Sequence, residues 1–234
     1  MNAESKKMSL VAFVVNVLMT ALFFPALILL LAGNWGWVEG WIFAIWIVVM
    51  INFSLIYLYW KDPALLTERT QSPGSGNQKP WDKVLMILLL VLAVVWLIVI
   101  PLDAGRFHWS PTFPFWLKIV GGVALIPALY LIERTMIDNT FLSARVRIQS
   151  ERKQRVITTG VYGFVRHPLY LGVTLMMFGA TLLAGSVYGM SISLIGSLAL
   201  TGRIIGEEKM LVEELEGYEE YKQKVKYRLI PFVW

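Results

Sequence analysis

The chain has 234 residues, 57% of them hydrophobic and only 16% charged, a balance far too apolar for a water-soluble domain of this length. It has no cysteine and only two histidines, which excludes disulfides, thiolate metal sites, a cysteine nucleophile and a histidine-rich metal cluster. The net charge of +5 sits in segments beside apolar runs, so it reads as membrane topology rather than as nucleic-acid binding.

Residues 1–9 are polar, with Lys6 and Lys7. Leu10 to Ala32 is a nearly unbroken apolar run, enough for a span of about 20 residues. No small-residue cleavage site follows it, so it is expected to be retained rather than removed as a signal peptide. A turn with interfacial tryptophans follows at residues 33–40, then a second span from Trp41 to Trp60. Residues 61–82 form a polar connection with Pro73-Gly-Ser-Gly76 as a flexible break. The third span runs from Lys83 to Pro101, and a short loop at 103–114 carries Arg106 and His108. The fourth runs from Phe115 to Ile132, where Gly121-Gly122 allow close helix approach and Pro127 permits a kink. Asn16 and Asn52, inside the first two spans, are expected to make polar contacts between helices.

The long polar segment that follows is the most basic connection in the chain, with Arg145, Arg147, Arg152, Lys153, Arg155 and Arg166 against Asp138 and Glu151. By the positive-inside rule it faces the cytoplasm. The charges of residues 1–9 and 61–83 agree, which puts both chain termini on that side. Leu171 to Leu200 is too long for one comfortable span and too short for two. Small residues at Ala184-Gly-Ser186 and Gly189 suggest a tight turn, hence a short hairpin that enters and leaves at the cytoplasmic face. Beyond Thr201 the helix continues into water, with Ile204, Glu208, Leu211 and Leu215 on one face. Arg203 and Glu207 are four apart and can meet on a neighbouring face. Gly217 is expected to end the helix. The last seven residues, Arg228 to Trp234, form an apolar, aromatic tail.

Two polar clusters stand at the ends of the hairpin. One is Thr158 to Gly172, where Arg166 and His167 precede Pro168 at the start of an apolar helix. A helix N-terminus with an arginine beside it suits an anionic group. The other is the Glu207-Glu208 segment. A hairpin that turns back brings the two together into a pocket with a basic and an acidic half. S-adenosylmethionine carries both charges, and its carboxylate, amine and sulfonium suit such a pocket. Taken alone, an Arg-His pair before a span is more often a topology signal, and a Glu-Glu pair on a helix is more often a solvated face.

The ordered set Thr159-Gly-Val-Tyr-Gly-Phe-Val-Arg-His-Pro-Leu-Tyr-Leu-Gly172, Glu207-Glu-Lys-Met-Leu211, Tyr218-Glu-Glu-Tyr221 and Arg228-Leu-Ile-Pro231 resembles the isoprenylcysteine carboxyl methyltransferase family and its phospholipid methyltransferase relatives. The resemblance covers residues 138–234. The apolar runs give the expected fold, an all-α, polytopic transmembrane bundle of four long spans and a short C-terminal hairpin with a cytoplasmic cofactor region, and the resemblance implies an integral membrane methyltransferase. The expected division is an N-terminal region at 1–134 and a methyltransferase region at 135–234. It also implies S-adenosylmethionine as methyl donor, held by Tyr162, Arg166, His167, Leu169 and Tyr170 with Glu208 across from them. Arg203 and Glu207 would face a lipophilic acceptor reached from the bilayer. No metal and no nucleic acid are implied. An Arg-His-Pro-x-Tyr element also occurs in membrane sterol-type reductases that use NADPH. Phospholipid amine N-methylation and a transporter or scaffold without chemistry are the remaining alternatives.

Overall fold

The computed structural model describes residues 8–72, 74 and 76–234, and every regular element among them is helical. Lys6, Lys7 and two residues of the expected break, Pro73 and Ser75, lie outside the described residues. Five helices are long and apolar enough to cross a membrane, and a sixth is shorter: this is a multi-pass membrane protein.

Helix α1 spans Leu10–Ala32, capped by the Ser9 hydroxyl and closed by Gly33 in the left-handed region at φ 63°. Helix α2 spans Val38–Lys61. Asn52 accepts a 2.9 Å hydrogen bond from Thr20 of α1, the expected contact between helices, whereas Asn16 turns back onto the Ala12 carbonyl of its own helix. The polar connection after α2 holds a short helix, α3, at Pro63–Arg69. It starts in a pattern readable afterwards: Asp62 caps the Leu65 N–H and Pro63 occupies the first turn.

Helix α4 spans Pro80–Ile100 and continues without a break into a π-helical turn, Pro101–Phe107. The third span is therefore longer than expected, and Asp103 is buried inside it rather than lying in a loop. Helix α5, Phe115–Asp138, runs on past Ile132 and through residues 134 and 135. Helix α6, Pro168–Ala184, packs along it. A Cβ on Gly179 would meet the Gly121 carbonyl oxygen at 3.0 Å, and one on Gly172 would meet the Ile132 side chain at 2.9 Å. Small residues let these backbones approach closely.

The turn after α6 falls where the small residues put it. Gly185 takes φ 82° and Ser186 caps helix α7, Val187–Glu214. The hairpin differs from the expected shallow one. Its tip reaches the far end of the bundle, where Ser186 Oγ donates to Asp103 at 2.5 Å and the Val187 N–H donates to Ser110 Oγ at 2.8 Å. A helix of 17 residues is about 25 Å long, just short of a hydrocarbon core of about 30 Å. The second arm has 28 residues, so its charged half stands beyond α6 at the opposite end. Gly217, at φ 82°, opens helix α8, Tyr218–Lys224, while α7 itself stops at Glu214.

Candidate active site

The site forms where α6 starts, α7 leaves the bundle and the C-terminal tail returns. The N–H groups of Arg166 and His167 donate to the carbonyls of Tyr227 and Arg228 at 3.0 and 2.9 Å. This pairing lays the tail across the mouth of α6. From the other side α7 delivers Glu208, which is 4% exposed. Its carboxylate accepts from Arg166 Nε at 2.6 Å and Arg228 Nε at 2.7 Å, and lies 3.2 Å from His167 Nε2. Arg166 Nη1 also donates to the Val225 and Lys226 carbonyls at 2.6 and 2.9 Å. A buried carboxylate must find partners, and here it gathers two guanidiniums.

The basic and acidic halves thus meet in direct contact. In front of them lies a cavity of about 320 Å³, lined by Tyr162, Arg166, His167, Leu169, Tyr170, Arg203 and Glu207. Glu208 is not among its lining residues; it stands behind Arg166 and His167. Glu208 was expected across the cofactor from the others; here its carboxylate contacts Arg166 and His167 directly. Helical periodicity put Glu208 on the buried stripe, and burial gives it fixed protein partners.

The expected Arg203–Glu207 contact is replaced by two others. Arg203 Nε donates to Asp82 of α4 at 2.8 Å and Nη2 donates to the Ala144 carbonyl at 2.6 Å. Glu207 instead accepts from the Tyr170 hydroxyl at 2.7 Å. The Arg203 guanidinium carbon sits 5.8 Å from the centre of the Tyr170 ring, and His167 stacks on the same ring, with centres 5.6 Å apart. Tyr162 is buried, its hydroxyl accepts from Asn139 Nδ2 at 2.9 Å, and burial pushes its phenol well above the ordinary value.

Several residues that hold or line the cavity wall were not legible beforehand. Asp82, 0% exposed, ties α4 to α7 through Arg203 and to the 139–149 loop through the Val146 N–H at 2.8 Å. An acid at the mouth of an apolar helix was the available signal, the mirror of Arg166 before α6. Glu68 of α3 holds the same loop. It accepts from Ser143, Arg145 and Arg147 at 2.6, 2.8 and 3.0–3.1 Å. Burial alone would raise its pKa, but the hydrogen bonds from Arg147, Ser143 and Arg145 outweigh that and lower it to about 2. Part of the basic segment read as a topology signal therefore clamps the cavity wall. Arg69 and Asn139 also line the cavity.

Residues 117–217 match the phospholipid methyltransferase family. The match overlaps the resemblance seen from residue 138 onward and opens earlier, inside α5, the helix against which α6 packs. A stretch of 72 residues is 36% identical to protein-S-isoprenylcysteine O-methyltransferase of Schizosaccharomyces pombe, covering 30% of this chain and 30% of that protein. A stretch of 90 residues is 31% identical to Delta(14)-sterol reductase erg24 of the same organism, covering 37% of this chain and 21% of that protein. The chain thus spans less than a third of either relative's length. Among solved structures, a eukaryotic intramembrane Ras methyltransferase, isoprenylcysteine carboxyl methyltransferase, aligns with a TM-score of 0.47 and 18% identity over 97% of this chain and 88% of that one.

Proposed function

We propose that the protein is an integral membrane methyltransferase that uses S-adenosylmethionine and acts on a lipophilic acceptor, with carboxylate O-methylation favoured. The observation that carries this reading is the cavity, lined largely by residues of the matched stretch at 117–217, which gathers cationic, anionic and aromatic groups at one end of an apolar bundle. Its volume is about 320 Å³, within the roughly 300–1,000 Å³ of small-ligand sites. When bound, the donor supplies an electrophilic methyl group on a sulfonium.

The chain's own residues bind and orient. Tyr162, His167, Leu169 and Tyr170 line the donor's side, and their rings suit an adenine and a sulfonium. Arg166 offers charge there, and Glu208 acts through it by fixing Arg166 and Arg228 in place. Glu207 offers its Oε1 to a cationic group, since Oε2 is taken by Tyr170. Arg203, held by Asp82 and the Ala144 carbonyl, suits an acceptor carboxylate through Nη1. Met86 and Leu89 of α4 give the cavity an apolar side toward the bilayer. Methylating a carboxylate needs no general base, only in-line placement and exclusion of water. The basic ends of the loops support a cytoplasmic face for this site.

The similarity to the S. pombe isoprenylcysteine methyltransferase supports a prenylated carboxylate as acceptor class. The similarity to the sterol reductase favours a second reading, a reductase using NADPH. Calorimetric titration of the purified chain with S-adenosylmethionine and NADPH separates them. Binding of the first alone, with methyl label appearing on an S-isoprenylated cysteine or a native membrane lipid, is expected. Binding of NADPH alone overturns the methyltransferase.

A further inference from the structure

The cavity holds more positive charge than its own acids neutralise, and the excess is located. Arg145 and Arg147 share Glu68, Arg166 meets Glu208 and Arg203 meets Asp82. Arg155 is exposed at the rim. Arg69, at the C-terminal end of α3, is different. It lines the cavity, and its hydrogen bond is from Nη1 to the Leu142 carbonyl at 3.2 Å. Among the described residues no carboxylate lies within ion-pair distance of it. Tyr162, Tyr170, Arg203 and Glu133 are its electrostatic neighbours, and burial pushes its pKa down. The Glu133 carboxylate is itself engaged, accepting from Ser54 Oγ through both oxygens at 2.9 and 2.8 Å.

Arg69 is also held in place. Asp62 caps α3 and is joined by the Thr140 hydroxyl, and Leu65 is wholly buried. A guanidinium fixed at a cavity wall with its fork unfilled matches a planar carboxylate.

We propose that Arg69 binds the carboxylate of a ligand in this cavity. The proposal rests on the methyltransferase reading, under which two carboxylates are available: that of the donor's amino-acid moiety and that of an S-isoprenylated cysteine acceptor. Arg69 lies outside the matched stretch at 117–217, so this contact is the N-terminal half's own contribution to specificity.

The test uses the full chain in detergent micelles as parent, Arg69→Gln and Arg69→Lys. Glutamine can still donate to the Leu142 carbonyl, so thermal unfolding should be little changed. Titrations with S-adenosylmethionine and with 5′-methylthioadenosine, which lacks the amino-acid moiety, read the donor. Steady-state kinetics with an S-isoprenylated cysteine read the acceptor. Loss of a charge-assisted contact predicts a weakening of about ten- to a hundredfold, partly restored by lysine. If the loss falls on S-adenosylmethionine and spares 5′-methylthioadenosine, the carboxylate is the donor's. If donor affinity holds and the acceptor KM rises, it is the acceptor's. Unchanged values for both, or equal losses for 5′-methylthioadenosine, overturn the proposal. A parent that binds no S-adenosylmethionine overturns the methyltransferase reading and this contact with it. Should Arg69→Gln fail to fold, Arg69→Lys decides by the same comparison, with a selective loss of about threefold or more expected for replacing a planar fork by a point charge.

Discussion

Glu208 is one buried acid that gathers the charged groups of the candidate site around it. It holds Arg166, Arg228 and His167 at once. Glu208→Ala strands two guanidiniums, one of them only 6% exposed, and removing one partner of a buried ion pair costs about 3–5 kcal/mol. A clear drop in Tm in detergent is expected, with the tail after Arg228 becoming accessible to protease. A variant with parental Tm would show that the cluster is not structural. Glu68 gives a pH signature. Its folded pKa of about 2 lies below the ordinary 4.5, so its stabilisation is complete above about pH 4.5 and is lost as pH falls from there toward 2. The Tm difference between the parent and Glu68→Gln should be constant from neutral pH to about pH 5 and shrink below it. A gap that widened on acidification would contradict the clamp. Burial of Glu208 was legible from helical spacing. Its partners were not, because Arg228 comes from a tail with no periodicity.

Among the elements, the α5–α6 pair carries the site, since α6 places Arg166, His167 and Tyr170 only if it lies close against α5. Gly172 sits where an added Cβ would approach Ile132 at 2.9 Å and the Ala128 carbonyl at 3.2 Å. Gly172→Val therefore forces the helices apart, and overpacking of this kind costs about 1–3 kcal/mol. A lowered Tm together with weaker donor binding is expected. Loss of stability with donor affinity intact would separate the packing from the site. The spans and the 184–186 turn were readable from apolar length and small residues. The depth of the hairpin was not, because it depends on Asp103 lying opposite Ser186, 83 residues away in the chain. Likewise the four-residue spacing of Arg203 and Glu207 permitted a contact on the helix surface. Tertiary neighbours, Asp82 and Tyr170, took both side chains instead.

At the scale of the whole molecule, the two ends of the bundle differ in charge. One gathers the 33–37 turn, the 101–114 segment and the hairpin tip; the other gathers α3, the 139–167 loops, α8 and the tail. The chain lacks cysteine, so single cysteines report sidedness cleanly. In sealed vesicles of known orientation, Lys153→Cys should react with an impermeant maleimide from the cytoplasmic face alone and Thr112→Cys from the opposite face alone. Reaction of both from one face would refute the topology.

Apolar run length, proline and glycine positions and the order of the Arg-His-Pro, Glu-Glu and tail motifs determined the membrane-spanning helical class, the turn at 184–186 and the region that holds the site. These are local properties, set by what each stretch of chain can bury or hydrogen-bond by itself. Only the tertiary structure decided which charges neutralise one another, that Glu208 stands behind the cavity and Arg69 within it, and that the hairpin crosses the bundle. Those outcomes depend on groups far apart in the chain competing for the same few partners where leaving a charge unpaired is costly.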